Sequence, residues 1–207
     1  MIDVREMLAK GAEDLGINLT TEQVEQLIGY KNLLQKWNKV FSLTAIVDDC
    51  GIIKTHILDG LASAKYFADS HNVLDVGSGM GVPAVILAIL FPELKVVALD
   101  SNSKKTAFLL QVKIELKLAN LQVVTKRVEQ YNNQFDVITS RAFASMELFV
   151  QLTQHLLGEN GKYLALKGEK AHNELESLHD WNSEIIELCV PYLDAQRFLI
   201  KLERNEK

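Results

Sequence analysis

The chain has 207 residues, 48% hydrophobic and 24% charged, with a net charge of −5 at pH 7. That apolar share excludes a disordered chain, which could not bury enough surface to offset its lost entropy. The length suits one sizeable core with a modest extension. No stretch approaches the ~20 apolar residues of a membrane span; the longest, Val82 to Phe91, reads as a buried helix. Met1-Ile2-Asp3-Val4-Arg5-Glu6 lacks the basic, apolar and small-residue order of a signal peptide. Cys50 and Cys189 lie too far apart for a disulfide framework or a zinc site. A cytoplasmic protein with no membrane partner and no metal is expected. A uniformly basic nucleic-acid binder is excluded, but charge is unevenly spread. Residues 101–131 hold six basic side chains against two acidic ones, and residues 168–207, with Lys170 and Lys207, five against nine. The first stretch is either a functional basic rim or an ordinary solvated surface.

In chain order, residues 1–68 read as a helical extension. Thr20-Thr21-Glu22-Gln23 offers a hydroxyl cap with a reciprocating Gln. Val24, Leu27, Ile28, Leu34 and Trp37 then recur near the helical period and should face a core. Asp48-Asp49-Cys50-Gly51 suggests a turn, and Ile53, Ile57, Leu58 and Leu61 a further helix carrying His56 and Asp59. Residues 69–207 alternate strand-like with helix-like stretches and are expected to form one compact unit with the extension. Strands are expected at 72–76, 94–100, 121–125, 135–139 and 161–166, with helices at 104–118 and 146–157. This rhythm predicts an α/β fold with a mostly parallel sheet covered on both faces. Ile185 to Val190 and Phe198 to Leu202, with no helix between them, predict a final hairpin and an antiparallel C-terminal edge.

The strongest chemical signal is Asp75-Val76-Gly77-Ser78-Gly79-Met80-Gly81, directly after the first strand. Glycines there let the backbone bend sharply and a ligand approach without a Cβ in the way. A helix starting near Pro83 is expected to present free N–H groups to that ligand. Dinucleotide enzymes use Gly-x-Gly-x-x-Gly at this place. The Gly-x-Gly-x-Gly spacing here resembles that of sheet-based S-adenosylmethionine (SAM) methyltransferases. Asp100 ends the second strand, where an acid can accept both ribose hydroxyls of an adenosine-containing cofactor. Glu129 follows the third strand, where it or an adjacent N–H can read the adenine edge while Val128 packs on the ring. Purely structural readings exist for each: a tight turn, and a surface acid opening Ser101-Asn102-Ser103.

Taken together, these residues resemble the glucose-inhibited division protein B (GidB) family of bacterial 16S rRNA guanine-N7 methyltransferases. The resemblance runs through Ser42-Leu43-Thr44, His56-Ile57-Leu58-Asp59, Asp75 to Gly81 and Leu99-Asp100-Ser101. It continues through Arg127-Val128-Glu129, Ser140-Arg141-Ala142-Phe143-Ala144 and Leu166-Lys167-Gly168. It implies a Rossmann-like class I SAM-dependent methyltransferase fold with an N-terminal helical extension. Cofactor contacts are implied at Gly77, Gly79, Val82, Val128, Glu129 and Arg141, with Asp100 at the ribose. The implied partner is 16S rRNA or the small-subunit particle, methylated at N7 of a guanine in its decoding-region loop. Ser42 stands where the family usually has Asn, Gly60 where it often has Ser, and Ala84 where a second Gly commonly follows the Pro.

Guanine N7 carries an in-plane lone pair that is free at neutral pH, so methyl transfer needs alignment and water exclusion rather than a general base. No catalytic residue is assigned on that ground. Arg141, after the fourth strand, could hold the cofactor, an RNA phosphate, guanine O6 or a structural carboxylate. Lys167, Lys104, Lys105 and Arg127 are candidate phosphate contacts or solvated side chains. His56 and Asp59 share a helical face and form either a structural pair or part of the substrate entrance. His71, His155, His172 and His179 show no ligand spacing. Phe41, Phe143 and Tyr163 are stacking or packing residues. The competing functions are a methyltransferase for another RNA or a small molecule, a nicotinamide-dependent dehydrogenase, and a non-catalytic ribosome-binding module.

Overall fold

The computed structural model describes residues 3–143, 145–169, 174–175 and 178–205. Met1, Ile2, Ala144, Lys170, His172 and Lys207, named above, lie outside the described residues.

Helix α1 spans Val4–Asp14 and α2 spans Thr21–Phe41. Thr20 caps α2 as expected: its hydroxyl accepts from the Gln23 N–H, and the Gln23 side chain accepts from the Thr20 N–H. The anticipated stripe faces inward, with Leu27, Ile28 and Leu34 buried and Val24 and Trp37 packed against them. The segment expected to turn at 48–51 instead starts a helix. Asp48 accepts from the Gly51 N–H at 2.7 Å and caps α3, Asp49–Ile52. An acid followed by Gly is an N-cap here rather than a turn. From α3 the chain continues through a π-helical turn, Ile53–Leu58, into α4, Asp59–Ser63.

The seven strands are β1 Asn72–Val76, β2 Lys95–Asp100, β3 Leu121–Thr125, β4 Phe135–Arg141, β5 Leu157–Lys167, β6 Trp181–Glu187 and β7 Phe198–Arg204. Their order is β3-β2-β1-β4-β5-β7-β6, parallel from β3 to β5. Strand β7 enters antiparallel between β5 and β6. Strand order reverses between β1 and β4, which places the ligand crevice of an open α/β sheet at their carboxyl ends. The last hairpin forms, but its first strand begins earlier than the sequence suggested. Leu188 and Val190 leave the sheet and are buried with the N-terminal helices, so their apolar character reflects that packing.

One sheet face and the helices α1 to α6 share a single buried cluster, including Leu8, Leu27, Ile57, Val73, Ile86 and Phe108. Here α5 is Ala84–Leu90 and α6 is Ser103–Glu115. The N-terminal helices and the sheet thus bury one another's apolar surface, the dominant favourable term in folding. On the opposite face, α7, Met146–Thr153, covers Leu74, Ile138 and Tyr163. The crossover from β3 to β4 carries only a 3₁₀ turn, Val128–Gln130. A cavity opens beside that turn.

Candidate functional site

The loop after β1 makes its turn with three left-handed glycines: φ is 69° at Gly77, 57° at Gly79 and 97° at Gly81. A non-glycine residue there costs about 1–2 kcal/mol. Their surroundings differ. A Cβ on Gly77 would meet only Phe143, at 3.8 Å, so its backbone faces open space. A Cβ on Gly81 would lie 2.6 Å from Val85 and 2.7 Å from Leu109, so this glycine serves packing. The Tyr30 hydroxyl of α2 donates to the Met80 carbonyl at 2.9 Å and ties the helical extension to the loop.

Asp100 is 6% exposed and fastens the loop from β2. One of its oxygens accepts from the Gly79 N–H at 3.0 Å and the other from the Asn102 N–H at 2.9 Å. Each oxygen retains a second lone pair for a ligand hydroxyl. Asp75 is fully buried beneath the loop beside Ser78 and Ala84, and no donor reaches its carboxylate oxygens in good geometry. Burial pushes its pKa up to about 7, against the pull of Ser78, Ala84 and Arg141.

A cavity of about 180 Å³ lies against the loop, walled by Val76, Leu99 and Val128 and edged by Gly77, Asp100 and Glu129. Lys126 and Arg127 stand exposed at its rim. Phe143 closes one side, its ring 5.1 Å from that of Phe149. Five of the residues singled out from sequence therefore converge: Gly77, Asp100, Val128 and Glu129 on the cavity, with Gly79 bonded to Asp100. Val82 differs, since its side chain is buried in the helical core. The first N–H groups of the following helix, expected to face the ligand, turn in part toward the loop itself. Helix α5 begins at Ala84, whose N–H faces Asp75, and the Val85 N–H donates to the Gly81 carbonyl at 2.7 Å. Inward-facing apolar residues bury this helix, and its first turn serves the loop itself.

A second cavity, of about 400 Å³, adjoins the first across the turn that ends β4. Arg141 and Ala142 line the larger cavity and Phe143 the smaller, with Ala142 left-handed at φ 61°. At the floor of the larger cavity two arginines grip one carboxylate. Arg141 Nη1 lies 3.2 Å from Asp59 Oδ2, and Arg197 Nε lies 3.1 Å from Asp59 Oδ1. Burial raises the Asp59 pKa, opposed by both guanidinium groups. Arg141 Nη1 also donates to the Thr55 carbonyl at 3.2 Å.

His56 sits beside this cluster. Its Nδ1 is 2.9 Å from the Thr55 carbonyl and its Nε2 is 2.8 Å from the Thr44 hydroxyl. Burial, reinforced by Arg141, lowers its pKa to about 4 and keeps the ring neutral. The 3.5 Å approach of Arg141 to Nδ1 is a contact between two donors in that tautomer. Lys167 lines the same cavity, but its ammonium is 2.6 Å from Glu174 and 3.2 Å from the Phe143 carbonyl. Tyr163 is fully buried, its hydroxyl accepting from Thr153, which excludes it as a base-stacking surface. Phe41 is partly exposed beside Trp37. Sequence reasoning missed Arg197, Tyr30 and Glu174, because no local motif surrounds them. No group of three His, Cys, Asp or Glu side chains able to hold a metal occurs among the described residues.

Comparison with known proteins bears on the family and the fold. Residues 23–198 match the family model GidB, described as rRNA small subunit methyltransferase G. The chain is 46% identical to ribosomal RNA small subunit methyltransferase G of Janthinobacterium sp. (strain Marseille), covering 96% of this chain and 94% of that protein. It is 48% identical to the Pseudomonas aeruginosa (strain LESB58) protein of the same name, over 96% and 94% of the two chains. Among solved structures, a Methanococcus maripaludis protein described as an S-adenosyl-L-methionine-dependent methyltransferase superposes with a TM-score of 0.59. It is 18% identical and covers 87% of this chain and 94% of its own, a likeness of fold.

Proposed function

From the premise that the chain belongs to the rRNA small subunit methyltransferase G family, we propose that it transfers a methyl group from SAM to N7 of a guanine in 16S rRNA. The observation that carries this reading is the smaller cavity. An open left-handed glycine, apolar walls and a strand-end carboxylate suit an adenosine-bearing ligand. Gly77 would let the backbone approach the cofactor, Asp100 would accept from the ribose, and Val128 and Glu129 would meet the adenine. SAM, when bound, supplies an electrophilic methyl on a sulfonium sulfur.

The chain's own residues do the rest. Asp100 and Tyr30 fix the glycine loop and so would hold it in place against the ligand. The turn from Arg141 to Phe143 separates donor side from acceptor side, and attack has to occur at its edge. There the guanine N7 lone pair would form the new N–C bond as the S–C pair left with sulfur, and the positive charge would pass to the purine, so the residues around N7 would have no proton to move. Neutral His56 is not needed as a base, and both of its ring nitrogens are engaged. The substrate is 16S rRNA, naked or within the small-subunit particle.

The test combines purified protein, labelled SAM and 16S rRNA from cells lacking the modification, offered naked and as particles. Nuclease digestion should release the label as 7-methylguanosine. Label on another base, or none with the protein folded, would overturn the assignment.

A further inference from the structure

The larger cavity holds none of the proposed adenosine contacts, and its chemistry differs from that of the smaller one. Its volume falls within the range of ligand pockets. Ile46, Leu166, Leu188 and Phe198 give it apolar walls suited to the face of a ring. Its polar wall is cationic. Arg141 and Arg197 outnumber Asp59, Lys167 is balanced by Glu174, and His56 is neutral. Asp59 gives one oxygen to each arginine and holds both forks in place. Neither fork is exhausted. Arg141 spends Nη1 on Thr55 and Asp59, and Arg197 spends Nε on Asp59 and Nη1 on the Gln196 carbonyl. Nη2 of each has no hydrogen bond among the described residues.

We infer that this cavity receives the flipped-out acceptor guanine, and that Arg197 selects it by donating to its O6 carbonyl. The inference rests on the proposed methyl transfer and adds the site that reads the base. A purine with a carbonyl at position 6 meets two donors favourably, whereas adenine offers a donor there. The familiar bidentate Arg grip on O6 and N7 is ruled out, because N7 must stay free to attack. A donor from Nη2 to O6 alone leaves N7 free. Because alkylation turns the purine cationic, the guanidinium groups select the base rather than assist the transfer. Asp59, held between them, is a positioning residue. The cavity adjoins the cofactor side across Ala142 and Phe143, as a transfer between the two requires.

The test separates base reading from cofactor binding. 16S rRNA is assembled by ligation with either guanosine or 2-aminopurine ribonucleoside at the target; the latter keeps N7 and the 2-amino group but lacks O6. The wild-type protein should prefer guanosine by about 10–100-fold in kcat/KM, the scale of one charged hydrogen bond. Arg197→Ala should reduce that preference to about 3-fold or less by slowing guanosine alone. Its calorimetric affinity for S-adenosylhomocysteine should stay within about 2-fold. Arg197→Lys, which keeps the charge but not the fork, should show an intermediate preference and serves if the Ala variant fails to fold. An unchanged preference, or an equal loss on both acceptors as a phosphate contact would give, overturns the inference. Loss of cofactor binding in the wild-type protein would instead sink the proposed function.

Discussion

The two adjoining cavities are built by opposite means. The smaller is lined mostly by short stretches at successive strand ends: Val76 and Gly77 at β1, Leu99 and Asp100 at β2, and Lys126 to Glu129 just after β3. Its shape is a property of backbone conformation. The larger is made by side chains from far apart in the chain, with Asp59 of α4 meeting Arg141 of β4 and Arg197 before β7. Its shape is a property of tertiary packing and of charge. The contrast shows why one site is robust and locally written, while the other exists only when the helical extension and the C-terminal hairpin are both in place.

The largest test of that contrast is within the glycine loop itself. Gly81→Ala combines a left-handed φ with overlap on Val85 and Leu109, and should cost about 3 kcal/mol or more in urea unfolding. Gly77→Ala meets open space and should cost only about 1–2 kcal/mol, its loss showing mainly as weaker cofactor binding in calorimetry. Equal destabilisation by the two would erase the distinction between packing glycine and ligand glycine.

In the larger cavity, Asp59→Ala leaves two guanidinium groups without their shared carboxylate. Buried ion pairs broken on one side cost about 3–5 kcal/mol. Because Arg141 and Arg197 retain some contact with water, about 2–3 kcal/mol is expected here, read from urea unfolding. A loss below about 0.5 kcal/mol, the scale of a solvated ion pair, would mean the cluster is not a structural floor.

How much of this was legible follows the same division. Asp75 to Gly81, Asp100 and Glu129 stood out because backbone chemistry restricts which residues fit each place along a short stretch. The capping box at Thr20 and the alternation of strands and helices were legible for the same reason. Arg197 was not, since a lone arginine between Gln196 and Phe198 carries no periodicity and its partner lies 138 positions away. Leu188 and Val190 misled, because an apolar run that leaves a sheet for a helical core looks like strand. Arg141 was expected just past the fourth strand and instead ends it, and its grip on Asp59 and its neighbour His56 came only from the fold.

Asp75 beneath the glycine loop and His56 in the larger cavity respond oppositely to pH. Asp75 titrates near 7 in the folded protein against an ordinary value of 3.8, so the native state holds an extra proton between them. Its contribution to stability therefore falls as pH rises from about 4 to about 7. His56 titrates near 4 against 6.5, so the unfolded state holds the extra proton and stability rises over that window. Asp59, raised as well, adds to the Asp75 direction. Asp75→Asn should make thermal stability climb more steeply between pH 4.5 and 6.5 (about the shared window), and His56→Gln should tilt it downward. Parallel shifts in both variants would contradict these environments.

The smallest effect belongs to the rim. Arg127 is exposed beside the smaller cavity. Arg127→Ala should weaken 16S rRNA binding a few-fold and reduce the salt slope of log K by about 0.7–0.9, the signature of one lost phosphate contact. An unchanged slope would make it a solvated side chain.

The most direct measurement is a calorimetric titration of the folded protein with S-adenosylhomocysteine, the demethylated product of the proposed donor. One molecule should bind per chain with measurable heat, and Asp100→Ala should lose that heat while remaining folded. A flat titration of well-folded wild-type protein, or full binding by the Asp100 variant, would contradict a cofactor site built on the glycine loop and the acid that fastens it.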